Sequence, residues 1–507
     1  MSLDGIKKSE EEKLLVAFTP FSCWSPHFET ELEIIQRHLD QGGAAVVLSC
    51  DGELKTCEPN PEHDLLVCAM CKSRCRSGMR WLRGAQLKRE TFYCLTQDQA
   101  TIVRGLEEKA WHSVDEVKAF SIDGMDVGLA AFSSVVSSLR DPEPQLEGNR
   151  KLFAKNMATA ATVYYSIKNQ LTEKVPNVFL IFNGRFSSLR PALRVAQQLG
   201  IKSYVHERAG GVDRFSITED TYPHDLKALK VEIEKVYFES ELPDEEKREL
   251  AFGWFNERRA GVDQSWRSYT KNQERHLLPN GFSPEDVNVV IFNSSEDEFV
   301  AIEEWKNLHY LNQNIAISQL MDDIAGEKRI RIFLRVHPNL KHVSNAQTKG
   351  IKVLAKKYED LNLIPADSPV STYALIDAAD VVVSYGSTVG VEAAYSGKLS
   401  ILMGRAMYED LDVCIRPESH RAFIEMLKNI AAGRHYYLPE MYQIGLVKFG
   451  LFNKLWGTEF KYVIPHGLVF AKMRRGHKTT TILPNIFIRI IFRLRSEFRS
   501  IKLRFKR

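Results

Sequence analysis

The stretch VVVSYGSTVGVEAAYSGKLSIL, residues 381–402, decides how the rest of the chain is interpreted. It begins with an apolar run typical of a fully buried strand and changes at Ser384 to small and polar residues. A helical pattern follows, with one acidic residue, Glu392, in its first turn. A buried strand, a Gly/Ser/Thr turn and a helix start, in this order, indicate an anion-binding loop of an α/β protein.

The residues of this turn suit a phosphorylated ligand. Gly386 and Gly390 would let a ligand approach the backbone closely. Ser387 and Thr388 can cap the helix or donate to a phosphate oxygen, and Glu392 is an acceptor suited to ribose hydroxyls. The alternative is an ordinary strand–turn–helix in which a hydroxyl acts only as the N-cap.

A second strand end, RVHPN at 335–339, indicates the same chemistry. His337 closes a strong β pattern, and Pro338 disfavours helix at the residue before it. His337 can donate to a phosphate and Arg335 adds positive charge. Taken alone, a loop histidine with an internal partner explains the pattern equally well. Two such strand ends together predict a site for a phosphorylated, nucleotide-linked ligand.

Strand and helix patterns alternate in two series, which predicts two α/β domains with parallel sheets. The first series has apolar strands at 14–21, 44–50, 177–185 and 201–211, and a Cys-rich insert at 50–94 interrupts it. The second has strands at 287–295, 330–339, 379–388 and 398–404. We place the linker in the turn-rich segment 277–286, which predicts domains at 1–276 and 277–435 and a C-terminal extension at 436–507.

Residues 384–409, SYGSTVGVEAAYSGKLSILMGRAMYE, resemble the C-terminal signature of bacterial capsule polysaccharide glycosyltransferases, the family that includes Kdo transferases. The matching positions are Ser387, Thr388, Gly390, Glu392, Ala393, Gly397, Lys398, Gly404 and Tyr408. RVHP is similar to the His-Pro element of that family, and IFNSSEDEF (291–299) to the strand end that opens its C-terminal lobe. FNGR (182–185) and VHERAGG (205–211) are looser matches to acceptor-side loops.

The resemblance implies a GT-B-like α/β fold, with two Rossmann-like lobes, a cleft between them and the nucleotide sugar in the C-terminal lobe. It implies a glycosyltransferase that moves a sugar onto a growing surface glycan, either capsule or lipopolysaccharide. The implied donor-binding residues are Arg335, Gly386, Ser387, Thr388, Gly390 and Glu392. The donor nucleotide, the sugar, the acceptor and the anomeric outcome are left open.

Glycosyl transfer requires stabilisation of the leaving phosphate and, for inversion, a base for the acceptor hydroxyl. His337, Arg335 and the helix start can stabilise the phosphate, so we expect no catalytic metal. Glu207, at a strand end before a glycine pair, is the first candidate base and Asp213 the second. A surface ion pair of Glu207 with an arginine is the alternative, and a retaining enzyme would need no such base.

Asn183 and Arg185 lie at the NGR corner of the first series. We expect them to orient donor or acceptor. A plain type I turn explains the same corner.

The cysteines cluster instead of pairing across the chain. Cys50, Cys57, Cys68 and Cys71 could complete a tetrahedral structural zinc site, because Cys68 and Cys71 have the two-residue spacing of a zinc knuckle. Cys75 or His63 could replace one ligand. An iron–sulfur cluster and free thiols are the alternatives.

The last residues, 485–507, carry eight Lys or Arg and one acid, a local charge of +7, whereas the whole chain carries +3. The remaining residues therefore sum to 3 − 7 = −4, which disfavours a nucleic-acid partner. Apolar residues spaced four and three apart predict a basic amphipathic helix that lies on an anionic membrane surface; they are Phe487, Ile491, Leu494, Phe498, Ile501 and Phe505. A helix docked on the protein is the alternative.

The charged N-terminus lacks a signal-peptide pattern, and no apolar run is long enough to span a bilayer. We therefore expect a cytoplasmic protein, peripheral at the inner face of the cell membrane, that acts on a glycan or lipid-linked glycan. Rival functions are a nucleotide-sugar epimerase or a polyol-phosphate transferase of similar fold, and a non-enzymatic zinc-bearing membrane scaffold.

Overall fold

The computed structural model describes residues 13–264 and 268–504, with side chains up to 495. The described chain forms two compact units. Unit 1 contains 13–138, 144–223 and 457–504, and unit 2 contains 139–143, 224–264 and 268–456. The chain thus leaves unit 1 for unit 2 and returns to unit 1 for its last segment.

The first part of unit 1 alternates strands and helices, with a group of helices between the third and fourth strands. Its elements are β1 (Leu14–Thr19), α1 (His27–Asp40), β2 (Ala44–Ser49), α2 (Leu65–Trp81), β3 (Leu87–Thr91), α3 (Gln97–Glu108), α4 (Val114–Ala119), α5 (Val127–Leu139), α6 (Arg150–Glu173), β4 (Val178–Phe182), α7 (Arg190–Gln198), β5 (Ser203–Arg208) and β6 (Arg214–Glu219).

Unit 2 has the same alternation after two long helices. Its elements are α8 (Leu226–Glu239), α9 (Asp244–Arg259), β7 (Val287–Phe292), α10 (Gln313–Asp323), β8 (Ile330–Arg335), α11 (Ala346–Lys357), β9 (Leu361–Ile364), α12 (Thr372–Ala378), β10 (Val381–Ser384), α13 (Val389–Tyr395), β11 (Leu399–Leu402), α14 (His420–Ala431) and α15 (Tyr442–Leu455).

The returning segment adds β12 (Thr458–Glu459), β13 (Val463–His466), β14 (Phe470–Arg475), β15 (Lys478–Thr480) and α16 (Ile486–Arg504). β12 pairs antiparallel with β6 and so extends the sheet of unit 1. Val463, Ala471, Met473 and Ile482 join the core that packs on β1 and β2. The predicted extension at 436–507 is therefore divided between the units.

The two main sheets have the same strand order. Unit 1 has β3-β2-β1-β4-β5, all parallel, followed by β6 and β12 antiparallel. Unit 2 has β9-β8-β7-β10-β11, all parallel. Numbered within each unit, both read 3-2-1-4-5, which is the Rossmann order. The expectation of an α/β protein with two Rossmann-like units is confirmed.

The strands of unit 2 are apolar on both faces because helices cover both faces. Val381 and Val383 lie in one core cluster and Val382 in another, and all three are fully buried. A parallel sheet buried on both sides produces this unbroken apolar pattern. The eight strands expected from sequence are all present, with bounds shorter by a few residues.

Two sequence-based expectations differ from the structure. The boundary between the units lies at 223/224 and not at 276/277, because α8 and α9 pack against α15 in the core of unit 2. Residues 50–94 are also not an insert into the sheet. They supply the crossover helix α2 and the strand β3, which pairs with β2.

Candidate functional site

In each unit, the strand order reverses between the first and fourth strands of the series. Open α/β sheets bind ligands outside the carboxyl ends of the strands at such a switch point. In unit 2 these strands are β7 and β10, and in unit 1 they are β1 and β4. The residues that follow these strands are therefore the first candidates for a functional role.

His337 lies two residues after β8, next to the switch point of unit 2. Its Nδ1 accepts a hydrogen bond from the backbone N–H of Asn339 at 3.1 Å. This contact places the ring proton on Nε2. Among the described residues, no group accepts a hydrogen bond from Nε2. Burial, and secondarily the charge of Arg335, lowers the pKa of His337 to about 4, so the ring is a neutral donor near pH 7.

The loop after β7 holds His337 in place. Asn293 Oδ1 accepts the backbone N–H of His337 at 2.8 Å. Ser294 is fixed by Gln313, whose Nε2 donates to its Oγ at 2.8 Å, and by Gln347, whose Nε2 donates to its carbonyl at 2.8 Å. Asn293, Ser294 and Gln313 are all buried. The strand end at the switch point is thus rigidly supported by side-chain amides.

Arg335 is directed away from a ligand role by its contacts. It is 2% exposed, and its guanidinium donates to the carbonyls of Pro365 at 2.6 Å and Ser368 at 3.2 Å. Burial lowers its pKa to about 10. In this arrangement Arg335 holds the loop after β9, and its predicted contact with a donor phosphate stays a prediction.

The turn between β10 and α13 is packed by the protein itself. A side chain at Gly386, whose φ is +124°, would meet the carbonyl oxygen of Arg405 at 2.7 Å. A Cβ at Gly390 would meet the Tyr408 hydroxyl at 2.3 Å. Close packing against Arg405 and Tyr408 therefore explains why both positions are glycine. The sequence analysis explained the same glycines by the close approach of a ligand. Ser387 Oγ accepts from the backbone N–H of Val389 at 3.3 Å.

Glu392 is buried and its carboxylate is fully engaged. Oε1 accepts from Arg258 Nε at 3.1 Å and from Thr388 Oγ1 at 3.2 Å, and Oε2 accepts from the Tyr373 hydroxyl. A hydrogen bond from Glu392 to a ribose hydroxyl would require one of these contacts to open. Thr388 Oγ1 also accepts from Arg258 at 3.4 Å.

In unit 1, three polar side chains meet at the ends of β4 and β5 and the start of α1. Glu207 Oε2 accepts from Asn183 Nδ2 at 2.9 Å, and Glu207 Oε1 lies 3.5 Å from His27 Nδ1. Oε1 also accepts the backbone N–H of Arg208 at 3.0 Å. Asn183 is buried in the left-handed region at φ +56°, which asparagine tolerates better than most residues.

Several polar atoms in this cluster lack partners. Asn183 Oδ1 is buried and has no hydrogen-bond partner within the described chain. The same holds for both ring nitrogens of His206, a fully buried residue. Burial lowers the pKa values of His27 and His206 to about 3. Unsatisfied buried groups are rare in native proteins, and a catalytic role, a bound ligand or an ordered water are the usual reasons for them.

The remaining first-lobe candidates lie at the periphery of this cluster. Asp213 is exposed in the turn between β5 and β6. Arg185 is half-buried, with its guanidinium 4.7 Å from the ring centre of Phe186. Of the residues expected in this unit, the structure thus brings together Glu207 and Asn183.

Three of the four cysteines expected to bind zinc have other hydrogen-bond partners, while burial, Glu58 and the nearby thiols of Cys71, Cys50 and Cys68 raise the pKa of Cys57. Cys50 donates to Glu53, Cys68 accepts from Asn60 at 3.2 Å, and Cys71 accepts from the backbone N–H of Ser22 at 3.2 Å. Within 13–264 and 268–504, no group of three or more His, Cys, Asp or Glu residues is arranged to hold a metal. The four-cysteine zinc site stays a prediction. Cys71 shares a hydrogen bond with Cys23, which lowers the pKa of Cys71.

The tail helix α16 exposes apolar side chains and rests on α2. Phe487 is 71% exposed, and Ile491 and Leu494 are about half exposed. The side chains of Phe498 and Ile501, and Phe505 altogether, lie outside the described residues. No described helix combines the length and apolar character needed to cross a membrane.

No protein-family model matches the chain, and no curated protein matches it. Among solved structures, a KpsC β-Kdo 2,4-transferase of Thermosulfurimonas dismutans aligns over 63% of this chain and 88% of its own, with 13% identity and a TM-score of 0.34. A UDP-GlcNAc 2-epimerase of Methanocaldococcus jannaschii, in complex with UDP-GlcNAc and UDP, aligns over 86% and 97%, with 10% identity and a TM-score of 0.27. TM-scores of this size establish neither a shared family nor a shared function.

Sequence reasoning missed His27 and Asn293. His27 follows a predicted strand by a few residues and begins a predicted helix, which is the signal that singled out His337 at its own strand end. Asn293 lies in the predicted strand 287–295 and follows its apolar run. A polar residue in this position indicates the edge of the sheet where ligands bind. Both could have been found by applying one rule to every strand of the two series.

Proposed function

We propose that this chain is a glycosyltransferase of GT-B type that transfers a sugar from a nucleotide-sugar donor to a growing surface glycan. The observation that supports it most is the recurrence of one strand order in both units, each with polar groups after the strands at its switch point. Two nucleotide-binding-type units in one chain suit an enzyme that must hold a donor and an acceptor.

Unit 2 is assigned the donor. The unpaired, neutral Nε2–H of His337 donates to a phosphate oxygen, and Ser387 adds a hydroxyl from the end of β10. Thr388 adds a second hydroxyl when its hydrogen bond to Glu392 opens. As the bond to the sugar breaks, negative charge grows on this phosphate, and fixed donors stabilise it. Asn293 and Glu392 act as positioning residues that hold the two strand ends. This chemistry requires no catalytic metal.

Unit 1 is assigned the acceptor. Glu207 removes the proton from the acceptor hydroxyl, with Asn183 and His27 fixing the direction of its carboxylate. The unpaired Oδ1 of Asn183 is available to a hydroxyl of the acceptor. Arg185 is a further candidate for acceptor or donor contact. A carboxylate held by three directed contacts is pre-positioned for proton transfer.

The acceptor is proposed to be a capsule or lipopolysaccharide glycan, free or lipid-linked, at the inner face of the cell membrane. Support comes from the exposed apolar residues of α16 beside basic residues, which suit peripheral attachment to an anionic surface. No nucleic-acid role is proposed, because outside the tail the chain has a net negative charge of −4, from 3 − 7.

Thermal unfolding with CMP-, UDP-, GDP- and ADP-sugars tests the proposal first, because a ligand of the folded state must raise the melting temperature. The stabilising donor is then incubated with the protein alone and followed by NMR. An unchanged sugar nucleotide that is consumed only when acceptor glycan is added supports transfer. Epimerisation of the donor without acceptor would favour the epimerase, and a polyol-phosphate product the related transferase. If no sugar nucleotide raises the melting temperature, the non-enzymatic scaffold is the favoured function.

A further inference from the structure

A basic pocket of about 620 Å³ lies between α2 and the start of α16 in unit 1. Four of the side chains that line it are cationic: Lys72, Arg76, Arg80 and Arg89. None of its lining residues, all of them described, is acidic. Four like charges around one cavity repel one another unless an anion or solvent compensates them. This pocket is separate from the strand ends of the proposed site.

The pocket is a formed feature because α16 and the segment before it are held to α2 and its N-cap by several contacts. The backbone N–H of Asn485 donates to Ser73 Oγ at 2.7 Å, and Arg74 Nε donates to the carbonyl of Ile482 at 3.0 Å. Farther along, Arg495 pairs with Asp64 at 2.7 Å. The α16 wall therefore has a defined position relative to the cations of α2.

Among the residues whose side chains the structure describes, internal partners neutralise only one of the four charges. Arg89 pairs with Asp51 at 2.5 Å, and Lys72 donates to the carbonyl of Asp51 at 3.1 Å. Arg80 donates to the Ser77 hydroxyl. Arg76 is exposed and has no hydrogen-bond or ion-pair partner among the described residues. A net charge near +3 remains for a ligand.

Exposed apolar side chains adjoin this charge on the same helix. Ile488 lines the pocket, while Phe487 is 71% exposed and Ile491 54% exposed. Ile490 and Leu494 are each 50% exposed. A contiguous apolar surface beside basic residues is typical of a helix that lies in a bilayer interface, with its charges at the level of the phosphates.

We propose that the pocket between α2 and α16 seats the phosphate of an anionic phospholipid while Phe487 and Ile491 insert beside it. Charge complementarity selects an anionic lipid, and the apolar face selects a bilayer over a soluble polyanion. The inference rests on the proposed membrane attachment and deepens it, because it assigns a specific headgroup site to residues outside the tail. It does not depend on which reaction the chain catalyses.

Flotation with vesicles of phosphatidylcholine, alone or mixed with phosphatidylglycerol, tests the proposal on the full-length protein. We expect binding to the mixed vesicles, and Arg76→Ala should weaken it about fivefold, from the roughly 1 kcal/mol that one basic residue contributes near an anionic surface. Arg104→Ala is the matched control, because Arg104 is an exposed arginine on α3 of the same unit. It should change binding by less than twofold.

Arg76→Lys separates a built phosphate site from diffuse attraction. It keeps the charge but removes the planar, two-pronged donor geometry, so a seated phosphate predicts a loss and diffuse attraction predicts none. Binding by Arg76→Lys equal to that of the original protein would overturn the headgroup site. So would equal losses in Arg76→Ala and Arg104→Ala.

Two further measurements separate this inference from neighbouring proposals. Phe487→Ser with Ile491→Ser should abolish vesicle binding. If that double variant fails to bind while Arg76→Ala binds normally, membrane attachment stands and the pocket assignment is wrong. Inorganic phosphate that raises the melting temperature through Arg76 without any vesicle dependence would assign the pocket to a soluble anion. The sugar-nucleotide screen tests the reaction independently of all these outcomes.

Discussion

Oε1 of Glu207 lies 3.5 Å from Nδ1 of His27, although the two residues are far apart in the sequence. β1 and β4 are neighbours in the sheet and β5 follows, so the residues after these strands converge at one edge. The side chains are 11% and 16% exposed, which leaves each of them partly open to a ligand. A carboxylate and an imidazole in this arrangement form the candidate proton-accepting site of unit 1.

Glu207→Gln tests the role of the carboxylate. The amide keeps the shape of the side chain but cannot take a proton, so turnover should fall about 100- to 10,000-fold. The affinity for the nucleotide sugar should stay the same. Sugar transfer rates and calorimetry measure these two quantities. Asp213→Asn, at an exposed turn, is the control and should retain full activity. Full activity in Glu207→Gln would remove the base role.

His337→Ala tests the donor site of unit 2. Loss of a hydrogen bond to a charged phosphate costs about 1.5–3 kcal/mol, so the donor should bind roughly 10- to 100-fold more weakly by calorimetry. His337→Gln should lose less, because its amide N–H can replace the Nε2–H donor. Since the pKa of His337 is lowered to about 4, the ring stays neutral between pH 5 and 8. Titration of His337 should therefore not change the donor affinity in this range. Unchanged affinity in both variants contradicts the assignment.

Gly390→Ala tests the packing of the turn before α13. The added methyl would meet the Tyr408 hydroxyl at 2.3 Å, and such overpacking costs about 1–3 kcal/mol in unfolding free energy. In a Tyr408→Phe background the cost should be smaller, because the clashing oxygen is gone. Gly253→Ala on α9 meets nothing within 4 Å and should be neutral or stabilising. Urea denaturation gives all three costs, and equal costs of Gly390→Ala in the original and the Tyr408→Phe backgrounds would refute the packing reason.

His206→Leu tests the burial of a neutral histidine. Burial lowers the pKa of His206 from 6.5 to about 3, so the unfolded chain takes up a proton below pH 6.5 that the folded chain does not. The original protein therefore loses stability as the pH falls from 6.5 towards 5, by up to about 1.4 kcal/mol per pH unit from this residue. The variant lacks this loss. If the difference in urea midpoint between His206→Leu and the original protein does not grow as the pH falls, the buried neutral state of His206 is contradicted.

Chelator treatment tests the cysteine segment. Residues 50–94 form a helix and a sheet strand, and Cys50, Cys68 and Cys71 each have a protein partner. We expect EDTA and a thiol-competing chelator to leave the melting temperature unchanged. A fall in melting temperature, together with stoichiometric zinc in the purified protein, would confirm the four-cysteine zinc prediction.

The sequence indicated most strands of both sheets because buried parallel strands are long apolar runs. β3, β6, β9 and β12 were not among the predictions. β3 has the sequence LKRET and lies at the edge of its sheet. An edge strand is less buried than a central one, so its sequence is not a long apolar run. The helix α2 was not predicted either, for a related reason. Its inward face carries Ser73, Arg74 and Cys75, and Arg74 is neutralised by a buried pair with Glu29, so the helix lacks apolar periodicity.

The sequence singled out polar residues at strand ends, but it did not show which groups hold their side chains. A polar residue after an apolar strand marks a sheet edge, which identified His337, Glu207 and Asn183. Whether such a residue faces a ligand or another side chain depends on tertiary contacts. Glu392 and Arg335 are residue types that often bind ligands. In this structure Glu392 is held by Arg258, and Arg335 is held by backbone carbonyls.

The late return of the chain to unit 1 has a consequence for biosynthesis. Residues 463–482 complete the core on β1 and β2, and they follow the whole of unit 2 in the chain. During translation, the nascent first half must keep an unfinished apolar surface while the whole of unit 2 is synthesised. The second unit has every strand of its sheet by Leu402 and can mature ahead of the first. The core of unit 1 therefore gains its last residues only after unit 2 has been synthesised.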